Sequence, residues 1–219
     1  MLLQKLQGFD FEMKYYNADG NESSMCGNGG RCISAFANLL GICKEKCYFL
    51  AIDGEHEAWI KEKDYVELKM GKVSDISLFE THCYLNTGSP HDIRFVENSD
   101  SVNVFEEGKK IRYSEPYTDK GVNVNFTEVL SENNLKVYTY ERGVEDETLA
   151  CGTGVTAASI AYFLQKTNKT EGNHIVNVVT KCGNLKVQFD YFNEEFSNIL
   201  LCGPAVYVFK GEISVECRM

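Results

Sequence analysis

Alternating apolar and polar residues form two short stretches that each lead, through a loop, into a helical pattern. The stretches FEMKYY and LKVYTY alternate as half-buried strands do, and each is followed by a polar loop of nine or ten residues that contains glycine. Apolar residues then recur at spacings of three and four, with few charges among them. They are Ile33, Phe36, Ala37 and Leu40 in the first case, and Ala157, Ile160, Ala161 and Leu164 in the second. The pattern predicts two largely buried helices.

The two helical segments belong to an internal repeat. CGNGGRCISAFANLL, from Cys26, aligns without gaps on CGTGVTAASIAYFLQ, from Cys151. Strand-like runs follow both: CYFLAIDGEHEAWI and VELKMG in the first half, HIVNVVTKCGNLKVQF and NILLCGPA in the second. NSDSVNVFEEGKK and SENN are expected to be solvated loops. The chain therefore contains two copies of one α+β unit, joined at the polar stretch Gly71 to Thr81.

The copies are unequal ahead of their cysteines. Strand-like sequence runs from about His82 to Tyr140 before Cys151, whereas only 25 residues precede Cys26. We therefore expect the first half to lack several strands at its start. Such a loss should expose apolar surface and leave an unpaired sheet edge, which favours pairing with a partner.

Charge and composition limit the classes of partner that the chain is expected to bind. The formal net charge is -10, and no cluster of Lys and Arg is present, so a nucleic-acid partner is not expected. No apolar run approaches the roughly 20 residues that span a bilayer, and the N-terminus does not resemble a signal peptide. We expect a cytoplasmic protein, its nine cysteines free thiols, that binds a small molecule or a second copy of itself, compatible with a homodimer.

Each repeat places a cysteine directly before a helix. Unpaired N–H groups and a partial positive charge at a helix N-terminus stabilise an anion, so Cys26 and Cys151 should have depressed pKa values. A substrate carboxylate can bind the same N–H groups. Two thiols facing one cleft suit a two-base reaction at a stereocentre, in which one thiolate removes a proton and the opposite thiol delivers one.

Other roles for the cysteines fit the sequence less well. Inert packing is the usual fate of a buried cysteine, but it gives no reason for Cys-Gly-x-Gly at both helix starts. A zinc site from Cys26, Cys32, Cys43 and Cys47 lacks the usual short spacing, and no Cys-x-x-Cys redox motif is present. We expect no metal. The cysteines other than Cys26 and Cys151 are expected to be structural thiols. His91 is an exposed turn histidine or, alternatively, the partner of a nearby thiolate.

Five stretches together resemble the diaminopimelate epimerase family. They are NADGNESSMCGNGGRC (from Asn17), TGSPH (from Thr87), GVNVNF (from Gly121), YERGVEDETLACGTG (from Tyr140) and CGPAVYVFKGEI (from Cys202). The resemblance implies an α+β fold of two pseudo-symmetric domains, each a mixed, mostly antiparallel sheet wrapped around a central helix. The domains would be residues 1–75, joined by a C-terminal strand at 211–219, and residues 76–210.

The resemblance also implies an activity and its residues. The activity is epimerisation of LL- to meso-2,6-diaminopimelate without PLP or another cofactor, in lysine and peptidoglycan precursor biosynthesis. Cys26 and Cys151 would be the catalytic base and acid. The residues implied to bind substrate or to tune the thiols are these: Gly27, Asn28, Gly152 and Thr153 at the reacting carboxylate; Asn17, Asn123, Glu141 and Arg142 at the distal end; His91 and Glu141 as groups that adjust the cysteine pKa values.

The chain departs from the family at two places. Ser89 stands where the family commonly has a substrate-contacting Asn, and a hydroxyl offers fewer hydrogen-bonding groups. The family's opening segment, with its Gly-Asn-Asp-Phe motif, has no counterpart here. We therefore expect the catalytic residues to be kept and the activity of this shortened chain to be weak or absent. The alternatives are a proline or hydroxyproline racemase and a truncated, non-catalytic homologue that binds carboxylates.

Overall fold

The secondary structure follows the predicted alternation of strands and helices. The computed structural model describes residues 1–16, 20–22, 26–62 and 64–212. Its elements are β1 Leu2–Gln4, β2 Phe11–Lys14, α1 Gly27–Leu39, β3 Lys46–Ala51, β4 Gly54–Lys61, β5 Tyr65–Lys69, β6 Ser74–Leu78, β7 Cys83–Asn86, β8 Pro90–Val96, α2 Val104–Arg112, β9 Asn123–Ser131, β10 Asn134–Glu141, β11 Asp146–Thr148, α3 Gly152–Lys166, β12 Gly172–Thr180, β13 Gly183–Phe192 and β14 Glu195–Pro204.

The strands within the described residues form one continuous path. Its order is β1-β2-β3-β4-β5-β14-β13-β12-β10-β9-β8-β7-β6, and β11 pairs with β10 outside the path. Neighbours are parallel at β2/β3, β8/β9 and β10/β12 and antiparallel elsewhere. The predicted mixed, mostly antiparallel sheet is therefore confirmed. Strand β14 lies between β5 and β13, so it joins the strands of the two halves.

Helix α3 packs against strands of its own half, whereas α1 packs against strands of the first half and against β14. Helix α1 contacts β3, β4, β5 and β14, whereas α3 contacts β7 to β10, β12 and β13. Alternation explains the packing: on β13 the residues Leu185, Val187, Phe189 and Tyr191 point inward and are buried. The α+β fold with a helix inside each half agrees with the prediction.

The two helices differ in how much water reaches them. Eleven residues of α3 are buried. In α1, by contrast, Phe36 is 47% exposed and Leu39 is 60% exposed, and the following Leu40 is 54% exposed. Apolar surface is therefore exposed in the first half, as expected, and the prediction of a largely buried helix is confirmed for α3 but wrong for α1. None of the helices in the described ranges has the length and apolar character that crossing a bilayer requires.

Helix α2 corrects the prediction of a loop at NSDSVNVFEEGKK. The side chain of Asn103 caps the helix by accepting a hydrogen bond from the Glu106 N–H, at 3.2 Å. Acidic residues occupy the first turn and basic residues the last, as the helix dipole favours. Gly108 allows close packing, since a Cβ there would lie 2.3 Å from Cβ of Tyr140. Capping and packing together outweigh the polar composition that suggested a loop.

Three further predictions concern the polar join, the C-terminal strand and the state of the cysteines. The polar join from Gly71 to Thr81 contains β6, which pairs with β7. The expected strand at 211–219 falls largely on residues 213–219, which lie outside the described residues. The expectation of nine free thiols is wrong, because Cys43 and Cys47 form a disulfide. Their separation by four residues, with Cys47 at the second residue of β3, brings the two side chains together.

Candidate active site

The N-termini of α1 and α3 meet, and each begins directly after a cysteine. Cys26 is the residue before α1 and Cys151 the residue before α3, as the sequence predicted. The first helical residues, Gly27 and Gly152, touch: a Cβ on Gly27 would lie 3.1 Å from Cα of Gly152. It would also lie 2.6 Å from Cδ2 of Leu201, which packs against both glycines. Glycine is therefore required at both positions for this close approach.

Side-chain hydrogen bonds hold the two helix starts together. Asn28 Nδ2 donates to the Ala150 carbonyl of the other half, at 3.0 Å. Arg31 donates through Nη2 to Asn28 Oδ1 at 2.9 Å and through Nη1 to the Gly27 carbonyl at 3.2 Å. Arg31 is 5% exposed, and the sequence analysis did not single it out. The signal available was a lone charge inside an otherwise apolar helical pattern.

The thiol of Cys26 lies against backbone donors. Its Sγ accepts a hydrogen bond from the Gly29 N–H, at 3.1 Å. Burial raises the pKa of Cys26; the Gly29 and Asn28 N–H groups lower it, and the charge of Glu141 raises it further. The charge of Cys26 is in turn the largest influence that raises the pKa of Tyr15, so this tyrosine lies beside the thiol.

The thiol of Cys151 is more deeply buried and faces a side-chain hydroxyl. Cys151 is 8% exposed, and its Sγ lies 3.4 Å from Thr153 Oγ1. Burial raises the pKa of Cys151 to about 12, and the charge of Glu141 adds to the effect. The predicted depression of both cysteine pKa values is therefore wrong for the protein without substrate. Desolvation of the thiolate outweighs the stabilisation that the helix N–H groups provide.

His91 lies in β8 and is fully buried, so the exposed-turn interpretation is wrong. Its Nε2 is 3.0 Å from Thr153 Oγ1, and Thr153 in turn contacts the Cys151 thiol. Thr87 also holds Thr153, donating from Oγ1 to its carbonyl at 2.9 Å. Burial, with a smaller contribution from Arg142, lowers the pKa of His91 to about 3. A neutral imidazole therefore reaches Cys151 through Thr153.

Two of the residues expected at the distal end of a substrate, Asn123 and Arg142, are hydrogen-bonded to each other. Asn123 Nδ2 donates to Ser89 Oγ at 2.8 Å and to the Pro90 carbonyl at 2.9 Å, while its Oδ1 accepts from the Arg142 N–H at 2.9 Å. The Arg142 side chain donates through Nη1 to the Lys120 carbonyl at 3.0 Å. The contact with substrate stays a prediction, and Asn17 lies outside the described residues.

Two cavities are each lined in part by residues of the loop from Thr87 to Pro90. One, of about 870 Å³, is lined by Thr87, Gly88 and Thr153 together with charged side chains of the first half. The other, of about 440 Å³, is lined by Pro90, Lys120 and Arg142 among others. Within the part of the chain that the structure describes, no group of three or more His, Cys, Asp or Glu side chains is arranged to hold a metal ion.

Known proteins match the chain along almost its whole length. The family model described as diaminopimelate epimerase matches residues 1–76 and 83–208. The chain is 49% identical to a diaminopimelate epimerase of Flavobacterium psychrophilum, covering 97% of this chain and 82% of that protein. It is 40% identical to the diaminopimelate epimerase of Chlorobaculum tepidum, covering 98% and 84%.

Solved structures share the fold at low identity. A phenazine biosynthesis protein of the PhzF family from Bacillus anthracis superimposes with a TM-score of 0.77 at 15% identity, covering 97% of this chain and 83% of that chain. A probable proline racemase from Agrobacterium radiobacter superimposes with a TM-score of 0.68 at 12% identity, covering 98% and 75%. These likenesses show an α+β fold of the kind that the sequence predicted.

Proposed function

This chain belongs to the diaminopimelate epimerase family, and from that premise we propose that it interconverts LL- and meso-2,6-diaminopimelate with Cys26 and Cys151 as its proton-transferring groups. The reaction is an amino-acid isomerisation, which serves lysine and peptidoglycan precursor synthesis in this family. The observation that carries the proposal is the contact between Gly27 and Gly152, which sets two helix starts, each directly after a cysteine, against each other.

The chemistry requires one thiolate and one thiol on opposite faces of the substrate α-carbon. The thiolate takes the α-proton and becomes a thiol, and the electron pair left on carbon delocalises into the adjacent carboxylate. The opposite thiol then gives its proton to the other face and becomes the thiolate. The stereocentre is inverted, and no proton or electron is gained or lost overall. Gly29 N–H at Cys26 and Thr153 O–H at Cys151 are the donors that support the ionised sulfur in turn.

The reacting carboxylate would bind where the two helices begin. The first N–H groups of a helix have no partner within it, and the two helix dipoles add a partial positive charge there. Gly27, Asn28, Gly152 and Thr153 supply these groups. An anion at this point also stabilises the negative charge that develops when the α-proton leaves. Glycine at both first positions lets a carboxylate approach the backbone closely.

The distal amino-acid end of the substrate would bind at Asn123, Glu141 and Arg142, together with Asn17. Arg142 suits the distal carboxylate because a guanidinium presents two parallel donors. Its backbone is already fixed by Asn123, at 2.9 Å. Glu141 lies near both thiols, since its charge raises the pKa of each, so it would accept from the distal ammonium and adjust the thiols together.

We also propose that the site lies between the two halves of the chain. The two halves, residues 1–75 and 76–210, would act as the two walls of the cleft. Six cysteines within the described residues, Cys26 and Cys151 among them, are free thiols beside the single Cys43–Cys47 disulfide found there, and this majority favours action in the reducing cytoplasm. A second copy of the chain is the macromolecular partner we propose, as a homodimer, because α1 exposes apolar side chains such as Leu39.

Hydrogen exchange in deuterated water tests the thiol pair. The purified chain should incorporate deuterium at the α-carbon of diaminopimelate while inverting it. Cys26→Ala and Cys151→Ala should each lower epimerisation by about 10²- to 10⁴-fold, the usual contribution of a positioned acid or base. Cys32→Ala, which removes an exposed thiol of the same helix α1, is the matched control and should keep full activity.

Two results would overturn parts of the proposal. Epimerisation that survives both active-site substitutions would exclude the two-thiol mechanism. Calorimetric binding of diaminopimelate without any exchange would instead identify a non-catalytic homologue that keeps carboxylate recognition. Racemisation of proline, with none of diaminopimelate, would support the alternative substrate.

A further inference from the structure

A fully buried amide side chain lies directly behind His91. Asn125 belongs to β9 and is 0% exposed. Its Nδ2 lies 3.0 Å from His91 Nδ1 and 3.4 Å from each of the Asp92 and Asn123 carbonyl oxygens. Its Oδ1 accepts a hydrogen bond from Thr139 Oγ1, at 2.9 Å. Asn125 faces the same side of β9 as Asn123, but it is not among the residues proposed to bind substrate or to transfer protons.

The surroundings of this amide decide which way it points. Two carbonyl oxygens, which only accept, face one end of the side chain, so that end must be the NH₂ group. Thr139 has a hydroxyl hydrogen to donate to the other end, which must be the oxygen. The amide nitrogen has no lone pair to accept with. The His91 Nδ1 that faces it must therefore be the unprotonated, accepting nitrogen of the ring.

The orientation of the ring then sets the direction of the remaining hydrogen bonds. A neutral imidazole carries one N–H, and with Nδ1 accepting, that N–H is at Nε2. Nε2–H points at Thr153 Oγ1, at 3.0 Å, so Thr153 accepts from the histidine. Its own hydrogen is then available to the Cys151 sulfur, at 3.4 Å.

We propose that Asn125 is a positioning residue, which holds His91 in the Nε2–H form and so directs the Thr153 hydroxyl hydrogen onto the Cys151 sulfur. The proposal rests on the proposed function, because only an ionised Cys151 needs that donor. The hydroxyl donor stabilises the Cys151 thiolate in the half of the reaction where this sulfur lacks its proton. In the opposite ring form, Nε2 would compete with the sulfur for the same hydrogen.

Two further observations agree with this role. Burial keeps His91 neutral at physiological pH, since its pKa falls to about 3, so the ring has a single proton to place. Gly154, the second glycine of CGTG, leaves room for the amide: a Cβ there would lie 2.3 Å from Asn125 Oδ1. The glycine and the asparagine therefore fit each other.

Nitrogen NMR of the imidazole ring tests the proposal without reference to turnover. The chain has four histidines, and the His91 signals are assigned by their loss in His91→Gln. In the wild-type protein at neutral pH, the proton should be on Nε2. Asn125→Leu, which keeps the approximate side-chain volume but removes the donor, should populate both ring forms. The same variant should lower kcat by roughly 10- to 100-fold, the usual effect of losing an orienting partner.

Thr139→Val is the matched control, because it removes a hydrogen bond from the same buried network but keeps the donor to His91. It should keep the Nε2–H form and keep kcat within about threefold of the wild type, whereas KM should be nearly unchanged in both variants because ground-state binding is not altered. A wild-type ring protonated at Nδ1, or equal losses of kcat in both variants, would overturn the proposal. An inactive wild-type chain whose ring carries the proton on Nε2 would contradict the proposed function but leave the assigned ring form in place.

Discussion

The two thiols that we propose as proton-transferring groups precede equivalent helices but lie in different surroundings. Around Cys26 the neighbours are the Gly29 N–H, which donates to the sulfur at 3.1 Å, and the side chain of Tyr15. Around Cys151 a chain of polar side chains leads from Thr153 to His91. The backbone geometry of the repeat has been kept, because a helix N-terminus dictates it, while the side chains behind each thiol differ.

The helices that carry the thiols differ in the same way. Helix α3 is buried almost all round, whereas α1 leaves part of its apolar face in water. A fully surrounded helix fixes its first residue rigidly, while a half-surrounded one depends more on contacts at that end. The bonds from Asn28 and Arg31 supply such contacts at the start of α1. The two halves therefore reach a similar local geometry by different means.

The largest expected effect is a difference in stability between substitutions in α3 and in α1. Ile160→Ala in α3 should lower the free energy of unfolding by about 2 to 5 kcal/mol, because it leaves a cavity at a fully buried position. Leu39→Ala in α1 should change it by less than about 0.5 kcal/mol, since that side chain is 60% exposed. Urea denaturation monitored by circular dichroism measures both. The small change is expected of a single copy, and a larger loss for Leu39→Ala would support the proposed homodimer, in which a second copy covers α1.

A smaller effect on stability is expected where the two halves touch, at Gly27 and Gly152. Gly27→Ala and Gly152→Ala should each lower the free energy of unfolding by about 1 to 3 kcal/mol, because the added methyl overlaps Leu201 and the opposing glycine. Gly71→Ala is the control, since a Cβ there meets nothing within 4 Å.

A double-mutant cycle then identifies the cause of that loss. Combining Gly27→Ala with Leu201→Ala should recover part of the cost, because the leucine methyl that overlaps most closely is gone. Strictly additive losses in the cycle would mean that Leu201 is not the group in the way. Equal losses for Gly27→Ala and Gly71→Ala would contradict the close approach itself.

The smallest effect compares the thiols directly. With iodoacetamide in the absence of substrate, Cys26 should be alkylated faster than Cys151, because the latter is more buried and its pKa is raised to about 12. Both rates should increase as the pH rises from 7 to 10, since the thiolate is the attacking form and a raised pKa leaves less of it at a given pH. Mass spectrometry of peptides measures each rate, with exposed Cys32 as the accessible reference. A faster reaction at Cys151 would reverse the assigned difference.

The sequence predicted the parts of the fold that depend on local pattern. The two helices that follow Cys26 and Cys151, and the alternating strands around them, lie where the 3.6-residue and 2-residue hydrophobic periods predicted. Helix α2 was missed because its polar surface suggested a loop, although the capping residue Asn103 and the charge order within the helix were signals for it.

The features that the sequence did not predict depend on burial. A helix N-terminus indicates a lowered thiol pKa, yet the direction reverses when the thiol is desolvated, and one sequence does not state how deep Cys151 lies. The position of Asn125 follows from strand alternation in GVNVNF, which puts it on the face of Asn123. Its contact with His91 depends on the parallel pairing of β8 with β9, which joins distant parts of the chain.

Strand β14 determines when the active site can form during synthesis. It fills the place between β5 and β13, and Leu201 on it packs against both Gly27 and Gly152. At about 5 to 20 residues per second, the ribosome adds the roughly 125 residues between β5 and β14 in about 6 to 25 s. For that interval the edge of β5 has no neighbour, and the two helix starts lack the side chain that packs between them. A nascent chain is therefore both inactive and exposed to mispairing until this late strand emerges.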